Sequence, residues 1–455
     1  MKVLHIPFCF FPDPVGGTEV YVEALVFHQQ KKGLGVAIAA PGHKKEFYAH
    51  KNLSVYRFPV SGQVHDLSEL YGKGIAGGAE AFDEILEKEK PDVLHVHAFT
   101  PGLSSGILER AQARRIPVVF TYHTPTVSCQ RGTLLRWGQE VCDGRLDVQI
   151  CSGCTLQGLG VPGPLSALLG RVPSSWGRKI GSLGLSGGPW TALRMPHLLE
   201  QRFEAFHRFM NQVDRIIVPC DWARAVLARN NVDAEKISVS RQGLTADRPP
   251  TAALRHWVFG GRQRRSGVGG DDRDKRILKI VYLGRLEPSK GVDILIRAVT
   301  RSTDLDVRLD IYGIAQGKMN SYGRRLKQLA GSDARIVFQA PVSNEHIHSL
   351  LQAYDLLAVP SQGLETGPLV VLEAFAAGVP VLGSDLGGIA ELVQSEVNGL
   401  LVEAGSVEAW RKALVRISLH RDLLPTWAKG IPAPRDMSDV AQEMDLVYNG
   451  LLCPR

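Results

Sequence analysis

The strongest constraint on the fold is an alternation of short apolar runs with helical patterns, which occurs twice along the chain. The first series of apolar runs reads KVLHI, GVAIAA, DVLHVHA, IPVVFTYH, RIIVP and KISVS, and the second reads ILKIVYLGR, VRLDIYG, ARIVFQA, LLAVPS, VPVLGSD and GLLVE. A parallel strand covered by helices on both faces is apolar almost throughout. The alternation therefore predicts an α/β protein with two doubly wound, Rossmann-like halves.

A change of composition separates the two series. Of the 17 residues from Gly260 to Arg276, five are glycine and nine are charged. A core segment does not have this composition, whereas a linker or an exposed loop does. We expect an N-terminal domain over 1–250, a linker over 251–276, a C-terminal domain over 277–430 and an amphipathic final helix within 431–455.

The overall composition is that of a globular protein and excludes fibrous and disordered classes. The 455 residues are 44% hydrophobic and 22% charged, with a net charge of +7 and a pI near 9.0. No run of 18 apolar residues occurs, so no membrane span is expected. The first residues predict a strand rather than a signal peptide. We expect a cytoplasmic protein and keep peripheral contact with the inner face of the membrane open.

One part of the first domain interrupts the alternation. Residues 155–200 are rich in Gly, Pro, Leu, Ser and Trp and show weak periodicity. Together with the cysteines before them they predict an irregular insertion over about 125–200. An active-site lid, a membrane-touching insertion and a surface excursion packed on its own domain are all compatible with this composition.

Two glutamates in the second domain form the sharpest chemical pattern. Glu365 and Glu373 are separated by seven residues in SQGLETGPLVVLEAFAAG. The first precedes a predicted helix with Pro368 in its first turn, and the second lies about two turns in. Free amides at a helix N-terminus bind anions. This arrangement favours a site for a sugar, a phosphate and a ribose, although a solvated helix with a capping glutamate gives the same pattern.

Two cations follow a predicted buried strand in VYLGRLEPSKG. The strand runs into Gly284, and Arg285 and Lys290 lie on the turn after it. Ligands bind at the carboxyl ends of strands in open α/β sheets. A guanidinium fork and a point charge together suit a diphosphate, whereas two unrelated surface cations remain the alternative.

Two further features belong to the first domain. Gly16 and Gly17 follow the first strand and open a helix with Thr18 as its expected cap, which predicts close approach of a phosphate or sugar. The spacing is not that of a dinucleotide fingerprint. His123 stands at the end of a predicted strand, where it is either a ligand contact or a satisfied polar group.

Four of the seven cysteines lie within 27 residues. Their spacing is Cys129-x12-Cys142-x8-Cys151-x2-Cys154. Four thiolates suit a closed tetrahedral zinc site. An iron–sulfur cluster has the same ligands, and free or partly disulfide-bonded thiols are the third reading. We expect a structural zinc that shapes the loop beside His123.

Taken together, these residues resemble a known enzyme family. The two glutamates with seven residues between them, GRLEPSKG, GGTE, TYH and DLGGIAELV occur in the order found in the retaining nucleotide-sugar glycosyltransferases of family 4. The resemblance runs from residue 1 to about 450 and includes a subset with a cysteine cluster in the N-terminal domain. It implies the GT-B fold, in which two Rossmann-like domains face each other across a cleft and the final helix crosses back to the first domain.

The resemblance also implies roles for individual residues. Catalysis would involve His123, Glu365, Arg285 and Lys290, with the two cations holding the donor diphosphate and no catalytic metal required. Donor binding would involve Gly16, Gly17, Gly284, Gly367, Leu369, Val370 and Glu373. The acceptor would be a glycan or a lipid-linked molecule in polysaccharide or glycoconjugate biosynthesis. The reaction would be hexosyl transfer with front-face departure and attack.

Two departures and two other functions stay open. The sequence after Glu365 is TGPLVV rather than the commoner Gly-Phe-Gly type, so sugar contacts differ from the usual ones, and the charged loop at 260–276 is long for the family. A GT-B sugar-nucleotide epimerase would use the same nucleotide site. A zinc-containing nucleic-acid binder is the remote alternative, and because the basic residues are scattered we expect no nucleic-acid partner.

Overall fold

The computed structural model describes residues 1–13, 16–60, 67–74, 78–244, 277–314 and 321–453. The linker expected at 251–276 lies outside the described residues. The chain forms two compact units, one made of Met1–Arg241 with Met437–Arg455 and the other of Gln242–Asp436. The final helix thus belongs to the same unit as the first strand.

The first unit is built on an eight-stranded sheet. Its strands are β1 (Lys2–Ile6), β2 (Gly35–Gly42), β3 (Glu46–His50), β4 (Leu53–Pro59), β5 (Val93–Val96), β6 (Val118–Thr121), β9 (Arg215–Val218) and β10 (Ile237–Val239). The spatial order is β10-β9-β6-β5-β1-β2-β4-β3, and all neighbours are parallel except β3, which pairs antiparallel with β4. The hairpin of β3 and β4 at the sheet edge was not predicted. Two short strands, β7 (Leu135–Arg136) and β8 (Glu140–Val141), form a separate hairpin.

Helices cover both faces of this sheet. They are α1 (Gly17–Lys31), α2 (Gly78–Glu89), α3 (Ser105–Ala113), α4 (Val148–Gly158), α5 (Gly163–Leu169), α6 (Ser174–Ser182), α7 (Gly188–Gln212), α8 (Asp221–Arg229) and, from the chain end, α16 (Met437–Leu452). Alternate residues of β1 enter two different cores: Leu4 and Ile6 pack on one face, and Val3 packs on the other. A strand buried on both sides explains the continuous apolar run.

The second unit contains a six-stranded, fully parallel sheet. Its strands are β11 (Leu278–Arg285), β12 (Val307–Ile314), β13 (Ile336–Gln339), β14 (Leu356–Val359), β15 (Val381–Ser384) and β16 (Gly399–Val402), in the order β13-β12-β11-β14-β15-β16. Its helices are α9 (Val292–Thr300), α10 (Ser321–Ala330), α11 (Asn344–Leu351), α12 (Leu369–Ala376), α13 (Gly387–Leu392), α14 (Val407–Leu419) and α15 (Leu423–Lys429). The chain reverses direction across the sheet between β11 and β14, which makes that pair the topological switch point.

The prediction of an irregular segment over 125–200 was wrong for most of its length. Helices α4 to α7 occupy it from Val148 onward. The weak periodicity has a physical reason, because α5 and α6 have only seven and nine residues and helical periodicity shows over longer windows. These helices bury small residues such as Ser166 and Gly177 and expose large apolar ones such as Leu168 and Trp176.

The predicted absence of a membrane-spanning helix can be checked for the described residues. Among them, no helix combines the length and the hydropathy that crossing a bilayer requires.

Candidate active site

The carboxyl ends of β11 and β14 bring together residues that lie far apart in the sequence. β11 ends at Arg285, and the turn after it carries Lys290. The loop that follows β14 carries Ser361 and Glu365. Lys290 Nζ lies 2.6 Å from Glu365 Oε1, and the Ser361 hydroxyl donates to the same oxygen at 2.8 Å. The switch point of this sheet therefore holds a cation and a carboxylate as a partly exposed ion pair.

Arg285 is half exposed. Its guanidinium contacts Glu287 at 3.0 Å. The backbone bends just before it, since Gly284 has φ +154°, and a Cβ there would meet the Tyr282 hydroxyl at 3.0 Å. That hydroxyl donates to the carbonyl of Arg285 at 2.7 Å. Glycine is thus needed at 284 for internal geometry, and its predicted contact with a donor stays a prediction.

Two glycines without a predicted role make close backbone contacts with the loop that carries Glu365. Gly291 has φ +65°, and a Cβ there would lie 1.9 Å from the Pro360 carbonyl oxygen. Gly388 donates its N–H to the Glu365 carbonyl at 2.8 Å, and its Cβ would come within 2.5 Å of that oxygen. No side chain fits either position. The motifs SKG and DLGG contain these glycines, so the signal was present in the sequence.

Glu373 lies in the second turn of α12 and is mostly buried. Burial raises the pKa of its carboxyl to about 7. Within the described residues no hydrogen-bond donor or cation pairs with this carboxylate. A buried carboxylate without a partner costs free energy in the absence of a ligand. Two adjacent hydroxyl groups, as on a ribose, would satisfy both of its oxygens.

The N-terminus of α12 follows Glu365 closely. No side-chain hydrogen bond caps it, so the amides of Leu369 and Val370 lack helical partners as in any first turn. Gly367 has a different constraint, because a Cβ there would lie 2.6 Å from Cδ of Gln242. The amides can bind an anion, whereas Gly367 is explained by packing alone.

In the first unit, the carboxyl ends of β1, β5 and β6 gather four buried histidines, three of which form a hydrogen-bonded chain. Gln29 Oε1 contacts His5 Nε2 at 2.8 Å, His5 Nδ1 contacts His97 Nε2 at 3.0 Å, and His97 Nδ1 contacts His123 Nε2 at 3.0 Å. His95 lies beside them and contacts the hydroxyls of Tyr448 and Thr121. Of these histidines, the sequence predicted only His123 as a site residue. The alternation HVH in β5 was the available signal for the others.

The environment keeps these histidines neutral. Burial lowers the pKa of His5 to about 4 and that of His123 to about 3. Burial, and then repulsion from the neighbouring rings, lowers the pKa of His95 and His97 well below the ordinary value. A neutral ring has one donor and one acceptor nitrogen. With the Gln29 carbonyl accepting, His5, His97 and His123 each donate through Nε2, so Nδ1 of His123 is unprotonated.

The histidines also form a group with metal-binding composition. In the described part of the chain, His5, His95 and His97 bring three ligand atoms within 4.8 Å of one another, and no other such group occurs there. Their ring nitrogens are already paired with one another, with Gln29, Tyr448 and Thr121. The hydrogen-bond chain therefore accounts for this cluster.

The helix after β1 begins differently from the prediction. Gly16, rather than Thr18, is the N-cap of α1, and its N–H donates to the Glu19 carboxylate at 2.8 Å. Glu19 can reach back because residue 16 has an extended backbone. A Cβ at Gly17 would meet nothing within 4 Å. Internal packing therefore does not require glycine at 17.

The four clustered cysteines line one cavity of about 210 Å³. All are free thiols. The hairpin of β7 and β8 lies between the first two, and the Trp137 backbone N–H donates to Cys154 Sγ at 3.3 Å. Burial raises the pKa of Cys151 to about 12 and also raises that of Cys142. The sulfurs are not gathered at coordinating distance, since the histidines are the only group of that kind among the described residues.

Comparison with known proteins agrees with this geometry. Residues 271–430 match the family model described as glycosyl transferases group 1, and residues 15–145 match the model of glycosyltransferase family 4. D-inositol 3-phosphate glycosyltransferase of Mycolicibacterium paratuberculosis is 33% identical over 211 residues, which are 45% of this chain and 44% of that protein. The same enzyme of Mycobacterium bovis is 32% identical over 45% of this chain and 41% of its own length. The chain spans less than half the length of these curated relatives.

Solved structures with the same fold cover almost the whole chain. The Anabaena protein Alr3699/HepE in complex with UDP has a TM-score of 0.61 at 17% identity, covering 99% of this chain and 100% of that one. Sucrose-phosphate synthase of Thermosynechococcus elongatus has a TM-score of 0.64 at 18% identity and covers 99% of each chain. At such low sequence identity these structures show the fold alone, which is the GT-B fold with two Rossmann-like domains. The two family models together match 291 of the 455 residues and show glycosyltransferase domains of group 1 and of family 4 in this chain.

Proposed function

We propose that the protein transfers a hexosyl group from a nucleotide diphosphate sugar to a glycan or lipid-linked acceptor, with retention of configuration. The observation that carries this proposal is the switch point of the second sheet. There, the Lys290–Glu365 ion pair and Arg285 stand at the ends of adjacent strands. Glu373, which has no partner among the described residues, follows in the next helix. This set suits a diphosphate, a sugar and a ribose.

The cations act on the leaving group. Departure of a nucleoside diphosphate develops negative charge on phosphate oxygens. Arg285 and Lys290 stabilise that charge, and the free amides of Leu369 and Val370 add a further positive dipole. In this proposal the two cations take the part that a divalent metal plays in other transferases. Glu373 accepts hydrogen bonds from the ribose hydroxyls.

Two side chains contact the transferred sugar in this proposal. Donor binding gives Lys290 a phosphate partner, and Glu365 then accepts hydrogen bonds from the sugar hydroxyls. His123 contacts the same sugar. The acceptor hydroxyl attacks the anomeric carbon from the face on which the diphosphate departs, and the departing phosphate oxygen takes its proton. No side chain forms a covalent intermediate.

The comparisons suggest which donor and acceptor to test first. Alr3699/HepE was solved with UDP and with UDP-glucose. The partial relatives are named for D-inositol 3-phosphate. We therefore propose UDP-glucose as the first donor and include an inositol phosphate among the acceptors, next to glycans and lipid-linked sugars of polysaccharide biosynthesis.

A donor screen followed by a transfer assay tests the function. The correct UDP-, GDP- or ADP-sugar is expected to raise the unfolding temperature of the full chain, since a ligand that binds the native state stabilises it. An acceptor-dependent release of nucleoside diphosphate is then expected, and NMR of the product reports the anomeric configuration. Isomerised donor without released diphosphate would instead identify an epimerase.

We also propose that the four cysteines hold one structural zinc. The support is the shared cavity and the soft, four-thiol donor set. Cys129, Cys142, Cys151 and Cys154 would each supply one thiolate. The hairpin of β7 and β8 would close on the metal, which would offset the cost of ionising buried thiols.

A further inference from the structure

Two short helices in the first unit bury small residues and expose most of their large apolar side chains. In α5 (Gly163–Leu169) and α6 (Ser174–Ser182), the buried positions are Ser166 and Gly177, and Gly170 is buried just after α5. Apart from the half-buried Leu169 and Ile180, the large apolar side chains of these helices are exposed. A segment organised by its own core would show the opposite arrangement.

Close contacts require the small residues to face inward. A Cβ on Gly177 would lie 2.8 Å from the Cβ of His197 in α7, and a Cβ on Gly170 would lie 2.5 Å from the Gln149 carbonyl oxygen in α4. The two helices can approach α4 and α7 only through glycine. Their rotation is thereby set, and the apolar side chains are left on the outside.

The exposed apolar residues are large and numerous. Four of them have between 60% and 73% of their surface accessible: Leu159, Leu168, Trp176 and Leu183. Leu165 and Trp190 are also exposed. We call residues 159–190 the basic apolar surface. Scattered exposed apolar residues are ordinary, but such a concentration within one short segment marks an interaction site.

The charged side chains of this segment are all basic. The 52 residues from Val148 to Leu199 contain no Asp or Glu, although 46 of the 455 residues are acidic, so about five would be expected. Arg171, Arg178 and Lys179 are exposed within it. The nearest recorded ion pair is loose, with Arg178 at 3.9 Å from Glu200 at the edge of the segment.

We propose that the basic apolar surface docks on the surface of a bilayer that contains anionic phospholipids. Trp and Leu side chains enter the boundary between headgroups and acyl chains, and Arg and Lys bind lipid phosphates. A second copy of the chain fits less well. A two-fold interface through this surface would bring the cations of both copies together, with no acidic residue in the segment to neutralise them.

Vesicle binding tests the proposal with the full chain and without any sugar substrate. The protein is centrifuged with vesicles of phosphatidylcholine alone and with equimolar phosphatidylcholine and phosphatidylglycerol, at low and at high salt. We expect binding to the anionic vesicles, reduced by salt, and at least about tenfold weaker binding to the neutral ones.

Two variants, each with a matched control, test whether the basic apolar surface is the part of the protein that binds the vesicles. Arg178→Glu with Lys179→Glu reverses two adjacent cations, and Lys44→Glu with Lys45→Glu makes the same change at two exposed lysines outside the surface. Leu168→Ser, Trp176→Ser and Leu183→Ser together remove the apolar anchors. Leu419→Ser with Leu446→Ser is their control, at comparably exposed leucines elsewhere.

The expected result is at least about tenfold weaker binding to anionic vesicles for both surface variants, with the controls unchanged. Matching unfolding midpoints show that the variants are folded, since every altered side chain is exposed. Equal binding by the Arg178/Lys179 variant and its control would overturn the proposal. So would a concentration-dependent dimer of the wild type that the Trp176 variant abolishes, because the surface would then be occupied by a second copy.

Discussion

The ammonium nitrogen of Lys290 lies 2.6 Å from Oε1 of Glu365, although the two residues are 75 positions apart in the chain. The side chains are 22% and 21% exposed. A partly exposed pair of this kind contributes about 1 kcal/mol or less to stability. The pair is of interest because of its position at the switch point, where ligands bind in such sheets, and not because of its contribution to stability.

Replacing Lys290 or Glu365 by Ala is expected to lower kcat/KM at least about 100-fold, because each removes a charge that faces the reacting groups. Arg285→Ala is expected to act in the same way. The unfolding midpoint should change little. Arg411→Ala breaks a surface pair with Glu408 in the same unit and serves as the control. Near-normal turnover in any two of the three site variants would make the assignment wrong.

Glu373 is expected to make nucleotide binding depend on pH. Its pKa of about 7 means that the carboxyl is protonated in slightly acidic solution and ionised in slightly basic solution. The ionised form accepts two hydroxyl hydrogen bonds. The Kd for the nucleoside diphosphate should therefore fall as pH rises from about 6 to about 8, and Glu373→Gln should flatten this dependence. Calorimetry over that range measures it.

The same carboxyl is expected to affect stability. Its folded pKa lies above the unfolded value, so the native state loses stability as pH rises from about 4.5 through 7. Glu373→Gln should then raise the free energy of unfolding at pH 8 by up to about 3 kcal/mol and leave it unchanged at pH 4. Denaturant unfolding at the two pH values checks this. An equal effect of Glu345→Gln, at an exposed carboxylate, would contradict the explanation.

Gly17→Ala is expected to lower activity without lowering the stability of the fold. A Cβ at 17 meets nothing within 4 Å, and the same is true at Gly450 in α16. Both substitutions should leave the free energy of unfolding unchanged or raise it by up to about 1 kcal/mol. Only Gly17→Ala should lower kcat/KM, because the added methyl group stands where donor or acceptor approaches α1. Unchanged turnover of this variant would show that Gly17 is not part of the site.

The buried histidines are expected to make the protein sensitive to acid. Their folded pKa values lie below the unfolded value of about 6.5, so the unfolded chain binds more protons and stability falls as pH falls below about 6.5. Between pH 6.5 and 5 one such histidine accounts for about 2 kcal/mol. Replacing His5 by Asn should reduce this slope. His420→Gln, at an exposed histidine, should leave this slope unchanged. Denaturant unfolding of both variants over the same pH range measures the slope.

Metal analysis of the purified protein is expected to find about one equivalent of zinc per chain. Cys142→Ser and Cys154→Ser should each lower the zinc content and the unfolding temperature. Cys453→Ser, outside the cavity, should do neither. Less than about half an equivalent of zinc in the wild type would count against the site, and iron in place of zinc would identify an iron–sulfur cluster.

The sequence by itself determined the architecture and indicated the part of the proposed site at the ends of strands β11 and β14. Every predicted apolar run became a strand, because a strand covered on both faces must be apolar throughout. Glu365, Arg285 and Lys290 were recognisable because the carboxyl ends of strands β11 and β14 are fixed by the strand pattern.

The tertiary structure decided what depends on contacts between distant segments. His5, His97 and Gln29 become a chain that sets the tautomer of His123 only when β1, β5 and β6 lie side by side. The charge state of Glu373 follows from burial. The orientation of α6 follows from the contact of Gly177 with α7, which a sequence pattern does not contain. Periodicity reports the average environment of a segment, whereas these features depend on single close contacts.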